Sequence, residues 1–453
     1  MKIILNFILL SLFGFFIFPE TYAALSFGLT MSIAVQIFLN SNKSFMFREW
    51  ALFLYASNYL LSPSITYQLN SDQVTYAMKV PSDVYFSLAF PGFLLFMLGM
   101  FIIPNRLFRP EFEKVSQATI LNQKFLLSCV FVGVSLRLIL NLVPGEIGFF
   151  VYLLSMIRFV AAFSLFASNK KKFAWLVLVV ILIELLYGFL AGMYHDAIMW
   201  VLFFALFVVY TIKPSMRIKF FGVLTLVTLV LFIQAIKKTY RDQVWENGKT
   251  ASLETISDVG SSKANSESII GENNLLSTLN RGNQAWIFAS TVERMDRFKD
   301  FQGLNNVNKY IESALLPRFL APNKLKSGDK EIFNQFSGHS INDTTSMGLG
   351  IFADGYIAYG SWGVYIFGFV LGLIFSLTFK LVERWTKISP FYVLLLLPML
   401  NYAVRPDCEL QTTINHLAKS IVVFGALVYF TKNRFTLDST RNQRKLLHLN
   451  LMK

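Results

Sequence analysis

The chain alternates between long apolar runs and short polar connections, and one polar stretch, residues 237–347, is much longer than the rest. A helix needs about 20 consecutive apolar residues to span a bilayer. Windows of that length predict twelve transmembrane helices, near residues 3–19, 22–40, 47–62, 84–103, 124–143, 147–167, 173–193, 196–212, 220–236, 356–379, 389–403 and 419–431. The predicted fold class is therefore all-α, a polytopic membrane protein with about twelve spans and one large loop.

This pattern divides the chain into four regions. Residues 1–236 hold the first nine predicted helices, 237–347 the large loop, 348–431 the last three helices and 432–453 a basic tail. The first apolar run also has features of a cleavable signal peptide, but a second apolar run follows it almost directly. We therefore favour an uncleaved first helix.

The large loop is predicted to contain an amphipathic helix over residues 276–298. Apolar side chains recur there at helical spacing, with Leu279, Trp286 and Ile287 on one face and charged residues elsewhere. This pattern is typical of a helix that rests on a membrane interface, here the outer one. The prolines that follow, in the segment Leu315–Lys324, predict an irregular turn.

Composition and charge agree with a membrane protein. Apolar residues make up 55% of the chain and the mean hydropathy is +0.52, which excludes an ordinary soluble domain. A net charge of +14 would indicate nucleic acid in a soluble protein. Here, twenty-two basic residues lie in the chain ends and the connections on one side of the predicted helices. Three lie in the short connections on the opposite side. By the positive-inside rule, both termini are cytoplasmic, the large loop is outside, and no nucleic acid is needed.

Three ionisable residues interrupt the predicted helices. Arg158 lies near the middle of the sixth helix, Glu184 near the middle of the seventh, and Arg137 about two turns from the outer end of the fifth. Inserting such a residue costs roughly 2.5–3.5 kcal/mol unless it is paired or reaches water. Two interpretations stay open: a cationic cavity that holds an anionic group, or a buried Arg–Glu pair that fixes helix packing.

The large loop carries arginines suited to a phosphate ligand, because the guanidinium binds phosphate oxygens in a bidentate fork. Arg281 and Arg318 each stand beside apolar residues that would hold them near the membrane surface. They are the first candidates for binding a diphosphate, and Arg158 and Arg241 are the second. The alternative is that these are ordinary solvated charges.

Asp354 and His339 are the candidates for a general base. Both precede or begin the tenth predicted helix. Isolated Asp and His residues in loops also serve as caps or surface residues, so that alternative stays open. The other site candidates lie in predicted outer connections or at their edges, and are His195, Asp196, Tyr356 and Arg405.

Several classes of chemistry lack their motifs in this sequence. It contains no phosphate-binding loop, no dinucleotide-binding fingerprint, no His/Cys spacing for zinc and no serine-nucleophile elbow. The sequence therefore predicts neither a metal nor a cofactor. Any group that is transferred must be activated before it arrives.

Three motifs occur in order near the end of the loop: the stretch 281–286 (RGNQAW), the proline turn 316–324, and the segment 354–363 with its Tyr359–Gly360 step. In these motifs and in its overall layout, the chain resembles the O-antigen polymerase (Wzy-type) family of oligosaccharide repeat unit polymerases. That family often has Glu where this chain has Asp354. The resemblance implies a GT-C-like architecture.

The resemblance also implies an activity. A glycosyltransferase would move a growing glycan from undecaprenyl diphosphate to the terminal sugar of a new lipid-linked repeat unit of O-antigen, capsule or exopolysaccharide. The enzyme would lie in the bacterial inner membrane with its active face periplasmic or extracellular. Its partners would be lipid-linked oligosaccharides, membrane lipids, and a chain-length regulator and a flippase of the same pathway. The lipid carrier would be part of the substrate.

Other functions fit the same features. An O-antigen ligase would share the architecture. A lipid-linked oligosaccharide flippase or a polysaccharide exporter would use the ionisable residues within the helices as a substrate pathway. A membrane scaffold or sensor without catalysis would tolerate the loss of the loop arginines.

Overall fold

The structure is a computed structural model, and it describes residues 2–69, 76–109, 112–190, 195–241, 243–244, 252, 254–255, 258–259, 283–315, 330–341 and 347–436. Within these ranges the regular elements are helices and no strand occurs. The all-α prediction is therefore confirmed. The motif residues Arg281 and Arg318 lie outside the described ranges, as does most of the segment 245–282.

The first half of the chain begins with two helices that pack on each other, and then forms a broken third one. A π-helical turn at Ser57–Leu61 joins the two parts of that broken helix. The bounds of the helices up to the large loop are α1 Lys2–Ile17, α2 Thr21–Asn40, α3 Phe47–Ala56, α4 Ser62–Gln68, α5 Ser82–Phe101, α6 Phe112–Leu121, α7 Gln123–Leu138, α8 Gly145–Ser155, α9 Ile157–Ser168, α10 Lys170–Leu190, α11 His195–Ile212 and α12 Met216–Arg241.

The described part of the second half contains three short helices of the loop region, and then two long helices separated by a short helical segment. The bounds are α13 Ala285–Phe298, α14 Asn305–Leu315, α15 Lys330–Ser337, α16 Ile351–Thr386, α17 Leu396–Leu400 and α18 Leu410–Phe435. A 3-10 helix, Pro390–Leu395, leads into α17.

Seven of the described helices or helix pairs are long and apolar enough to cross a membrane. The number is eight if α6 and α7, which meet at 85°, form one bent span. Shorter apolar helices occupy Ile4–Ile17, Asp196–Ile212 and Pro390–Leu400. The chain is therefore an all-helical membrane protein with several membrane-spanning helices.

The centre of the bundle is the long interface between α5 and α16, and glycines make it possible. A Cβ atom added to Gly99 would lie 2.3 Å from the carbonyl oxygen of Phe369, and one added to Gly372 would lie 2.1 Å from that of Phe96. Only glycine permits such an approach of two backbones, which is how helices associate closely in membranes.

Helix α16 is broken into two parts at Tyr359 and Gly360. Tyr359 has φ −143° and ψ 26°, and Gly360 has φ 58° and ψ −140°, a conformation that favours glycine. The break frees backbone carbonyls, and the loop after α13 supplies donors for them. The N–H of Gln302 donates to the carbonyl of Ile357 at 2.9 Å, and the N–H of Gly303 donates to that of Ala358 at 3.0 Å.

The connections that carry the predicted cytoplasmic charges contact one another at one end of the bundle, which we call the basic end. Asn42 donates to the carbonyl of Pro214 at 3.0 Å, joining the connection after α2 to the one after α11. The N–H of Phe45 donates to the carbonyl of Phe108 at 2.8 Å. Further contacts at this end are Arg106 with Glu383, Lys170 with Thr211 and Lys380 with Pro104.

Candidate functional site

The opposite end of the bundle is a layer of polar side chains where α11, α16 and α18 begin, and we call it the polar layer. Each of these helices runs from here towards the basic end. The segment 405–409 passes between their first turns. Tyr59 fixes it from the π-helical turn by donating to the carbonyl of Pro406 at 3.0 Å. A Cβ atom on Gly348 would lie 2.1 Å from the carbonyl oxygen of Asp407, so only glycine fits beside this segment.

Asp354 joins three elements of the polar layer. It lies in the first turn of α16 and is 3% exposed. One carboxylate oxygen accepts the N–H of Leu410, at the start of α18, at 2.7 Å, and the other accepts the hydroxyl of Tyr310, on α14, at 3.2 Å. Burial and the nearby Asp354 raise the pKa of Tyr310 far above its ordinary value, so Tyr310 stays a donor.

A small cavity adjoins Asp354. Its volume for water is about 10 Å³, the room that one water molecule needs. Both polar and apolar residues line it. The lining residues are Tyr310, Ile332, Phe333, Met347, Gly348, Leu349, Asp354, Glu409 and Gln411. The cavity therefore has room for a water molecule between α14, α15 and the starts of α16 and α18.

His339 follows α15 and is anchored by α13. Its Nε2 lies 3.0 Å from Oγ of Ser290, and its ring meets Trp286 edge-on at 5.0 Å. The hydroxyl of Ser290 donates to the carbonyl of Trp286 at 2.8 Å, so it accepts from His339. This assigns the proton to Nε2 and leaves the lone pair on Nδ1. Burial, and then the charge of Lys79, lower the pKa of His339, so its imidazole is neutral at neutral pH.

Arg405 holds the polar layer to α11. One of its nitrogens donates to Asp196 at 3.2 Å and another to Asp407 at 3.2 Å. Asp196 also accepts the hydroxyl of Tyr152, from α8, at 2.9 Å. Two carboxylates thus occupy this arginine, which is the arrangement of a structural cap. His195 begins α11, but its side chain lies outside the described part.

The three ionisable residues of the helices form one network. Arg137 donates to both carboxylate oxygens of Glu184, each at 3.2 Å, and Arg158 donates to the same carboxylate. Arg158 also donates to the carbonyl of Ser155 at 2.6 Å. Gly133 lets α7 approach, since a Cβ atom there would lie 2.8 Å from Cβ of Arg158. The pairing of Arg158 with Glu184 is found, and Arg137 joins it.

The remaining candidates lie apart from these clusters or outside the described residues. Tyr356 is on α16 and donates to Asp296 at 2.9 Å. Arg241 ends α12, and its side chain is not described. The segment 276–282, with Arg281, and the turn containing Arg318 also lie outside the described ranges.

The helix expected on the membrane interface packs inside the protein over its described part. Helix α13 begins at Ala285, and Trp286 and Ile287 are 5% and 2% exposed. Its apolar face contacts α15 and α16. The burial arises because α16 and α15 together cover this face, and α15 is a helix that the sequence pattern did not separate from the loop.

Sequence reasoning missed several residues of the site. Ser290, Tyr310 and Tyr152 each bond to a candidate, yet each is an uncharged residue with no motif around it. Ser290 alone had a signal, since it recurs on the apolar face of the predicted helix. Among the described residues, no group of three or more His, Cys, Asp or Glu gathers as a metal site would require.

Comparison with known families gives one match. Residues 44–387 match the model of a family described as "Domain of unknown function (DUF8712)". Because this match covers more than half of the chain, the protein belongs to that family. Neither a comparison with curated proteins nor one with solved structures gives a match.

Proposed function

We propose that this member of the DUF8712 family polymerises lipid-linked oligosaccharide repeat units. It would transfer a growing glycan from undecaprenyl diphosphate to the terminal sugar hydroxyl of a new lipid-linked unit. The observation that carries the proposal is the neutral imidazole of His339, anchored at Nε2 by Ser290 with Nδ1 left as an acceptor. A general base in that state is ready to take a proton from a hydroxyl.

In this proposal the protein has twelve spans, both termini in the cytoplasm of a bacterium, and its polar layer on the outer face of the inner membrane. The contacts among the connections support this arrangement. Connections that carry the predicted cytoplasmic charges contact one another at the basic end; examples are the hydrogen bonds of Phe45 with Phe108 and of Arg106 with Glu383. Candidate residues predicted to lie outside contact one another at the opposite end, in the polar layer; an example is the ion pair of Asp196 with Arg405.

The reaction needs three things from the protein. His339 takes the proton as the acceptor oxygen forms a bond to the anomeric carbon, and the bond from that carbon to the diphosphate breaks. Negative charge then grows on the departing lipid diphosphate, where preorganised arginines contribute most. Arg281 and Arg318 are proposed for this role, with Arg241 second. Asp354, whose two oxygens both accept hydrogen bonds, is proposed to hold the starts of α16 and α18 in place.

The helix network bears on the competing transporter hypothesis. A flippase or exporter would use Arg137, Arg158 and Glu184 as a substrate pathway. In the structure these side chains bond to one another, and Arg158 and Glu184 have side chains 1% and 4% exposed. A network so enclosed favours a role in holding α7, α9 and α10 together, which supports the enzyme over the transporter. Arg158 is therefore the weakest of the proposed diphosphate ligands.

Deletion of the gene, followed by gel analysis of the surface glycan, tests the function. We expect the ladder to be lost while glycan with one repeat unit remains. Loss of all surface glycan would indicate a flippase or exporter, and polymer retained on the lipid carrier would indicate a ligase. Complementation separates the residue from the fold. His339→Ala should fail to restore the ladder, whereas Gln335→Ala, at an exposed position of α15 close in sequence, should restore it.

A further inference from the structure

An exposed apolar patch lies beside the break in α16. Phe298 at the end of α13 is 60% exposed, and Phe301 and Leu304 of the loop after it are 40% and 54% exposed. Tyr359 and Trp362 of α16 are 44% and 73% exposed. We call these five residues the rim patch. A set of large apolar side chains this exposed marks a surface that something apolar covers.

Hydrogen bonds and a ring contact fix the loop part of the rim patch to α16. The hydrogen bonds from Gln302 and Gly303 to the carbonyls of Ile357 and Ala358 tie it to the last turn before the break. The ring of Phe301 also covers Gly360, where a Cβ atom would lie 3.5 Å from it. In a bilayer, this loop therefore lies at the same depth as the break in α16 at Gly360.

The sequence of α16 sets that depth. The second part of the helix contains no Asp, Glu, Lys or Arg from Ser361 to Phe379, and Lys380 is the first charged residue. At 1.5 Å per residue, the distance along the helix from Gly360 to Lys380 is about 30 Å, the thickness of the hydrocarbon core. With Lys380 at one interface, the break lies at the other. Tyr359 and Trp362 then have the place that aromatic belts occupy.

We propose that the segment 298–304 dips into the membrane interface, with the acyl–headgroup boundary of the bilayer covering the rim patch. The interfacial anchor of this protein would thus be the end of α13 and the loop after it, seated on a broken helix, while the first turns of α13 lie inside the protein. This position of the segment follows from the membrane-spanning character of α16 and is independent of the reaction that the protein catalyses. Exposed Arg297 and Lys299, which flank Phe298, would reach the headgroups while the rings lie deeper.

Depth can be measured with spin labels in protein reconstituted into lipid nanodiscs. Single cysteines replace Phe301 and Leu304 in a Cys129→Ser, Cys408→Ala background checked for its melting temperature. Trp362→Cys serves as the membrane reference and Gln335→Cys as the exposed control. We expect collisions with oxygen to exceed those with a water-soluble nickel chelate severalfold at Phe301 and Leu304, as at Trp362, and the reverse at Gln335.

Two outcomes would overturn the proposal. Labels at Phe301 and Leu304 as accessible to the nickel chelate as the label at Gln335 would place the loop in water. Labels that neither reagent reaches would mean that a protein surface, such as a second copy of the chain, covers the patch. Phe301 packs on Gly360, so Phe301→Cys could prevent folding. In that case the label at Leu304 alone decides between the outcomes.

Discussion

Two clusters of arginine and carboxylate in this protein combine the same groups in opposite proportions. In the helices, Arg137 and Arg158 share the single carboxylate of Glu184, and their side chains are 14%, 1% and 4% exposed, respectively. In the polar layer, Asp196 and Asp407 share the single guanidinium of Arg405, with side chains 27%, 43% and 16% exposed. Helix α8 touches both, since Tyr152 bonds to Asp196 and Ser155 to Arg158.

The difference in exposure decides what each cluster does. Taking a charge out of water costs several kcal/mol, and only its partners offset that cost in the helix network. Water can replace a lost partner in the partly exposed Arg405 cluster, so its pairs contribute less to stability. The helix network is therefore suited to a frame that holds α7, α9 and α10. The Arg405 cluster is suited to a cap that joins α8 and α11 to the segment 405–409.

Removing Glu184 should have the largest effect, because it leaves two arginines without a carboxylate inside the bilayer. Glu184→Ala should destabilise the protein by about 3–5 kcal/mol. The measurement is thermal unfolding of purified protein in detergent, with the folded fraction after extraction as a second readout. Glu293→Ala is the control, since it removes a partly exposed partner of Arg297 on α13 and should cost about 1 kcal/mol or less. Equal melting temperatures for the two variants would mean that the network is not structural.

The loop arginines should show the opposite behaviour. Arg281→Ala and Arg318→Ala are expected to lower turnover by roughly 10²–10³, the effect of losing one donor to a developing negative charge. Their melting temperatures should remain those of the wild type. Arg→Lys at both positions keeps the charge and loses the planar fork, so much of the activity should still be lost. The assay uses purified protein and lipid-linked repeat units, and wild-type turnover of the Ala variants would remove both residues from the site.

A smaller effect is expected at Tyr310, whose hydroxyl donates to Asp354. Tyr310→Phe should cost about 1–3 kcal/mol in stability, the range for leaving a buried hydrogen-bonding group without its partner. If Asp354 only joins α14, α16 and α18, stability and turnover should fall together across a temperature series. Tyr356→Phe is the matched control, because that hydroxyl bonds to Asp296 near the protein surface. A Tyr310→Phe variant of unchanged stability and lower turnover would instead place Asp354 in the chemistry.

The sequence predicted the helices better than their contacts, for a physical reason. Length and apolarity are local properties, so the runs that became α2, α5 and α10 were found close to their observed bounds. The span predicted at 356–379 is longer in the structure, 351–386. Its additional first turns pack against the segment 405–409, and its additional last turns carry charged residues at the basic end. The periodicity of apolar residues does not predict the break in α16, because that break depends on Gly360 and on hydrogen-bond donors from the loop after α13.

The candidate site divides in the same way. Charged residues in apolar runs identified Arg158 and Glu184, and adjacency of the sixth and seventh helices suggested that they pair. No local pattern reports that Gly133 brings α7, and with it Arg137, against the same carboxylate. The bonds of Asp354 to Leu410 and of His339 to Ser290 join residues far apart in sequence. Such bonds follow from packing, and their residue types alone do not indicate them.

The smallest effect expected is a shift in the pH dependence of turnover. A base must be unprotonated, so activity should rise with pH through the pKa of His339 and level off above it. Burial and Lys79 both lower that pKa, which places the rise on the acidic side of the ordinary histidine value and leaves the rate flat at neutral pH. Lys79→Ala removes one of the two causes, so the acid limb should move to higher pH while the plateau rate stays nearly unchanged. Lys309→Ala, at an exposed position of α14, should leave the profile in place. If the acid limb is unchanged in Lys79→Ala but disappears in His339→Ala, His339 is the base and Lys79 does not lower its pKa. If the limb is unchanged in both variants, the base is another residue.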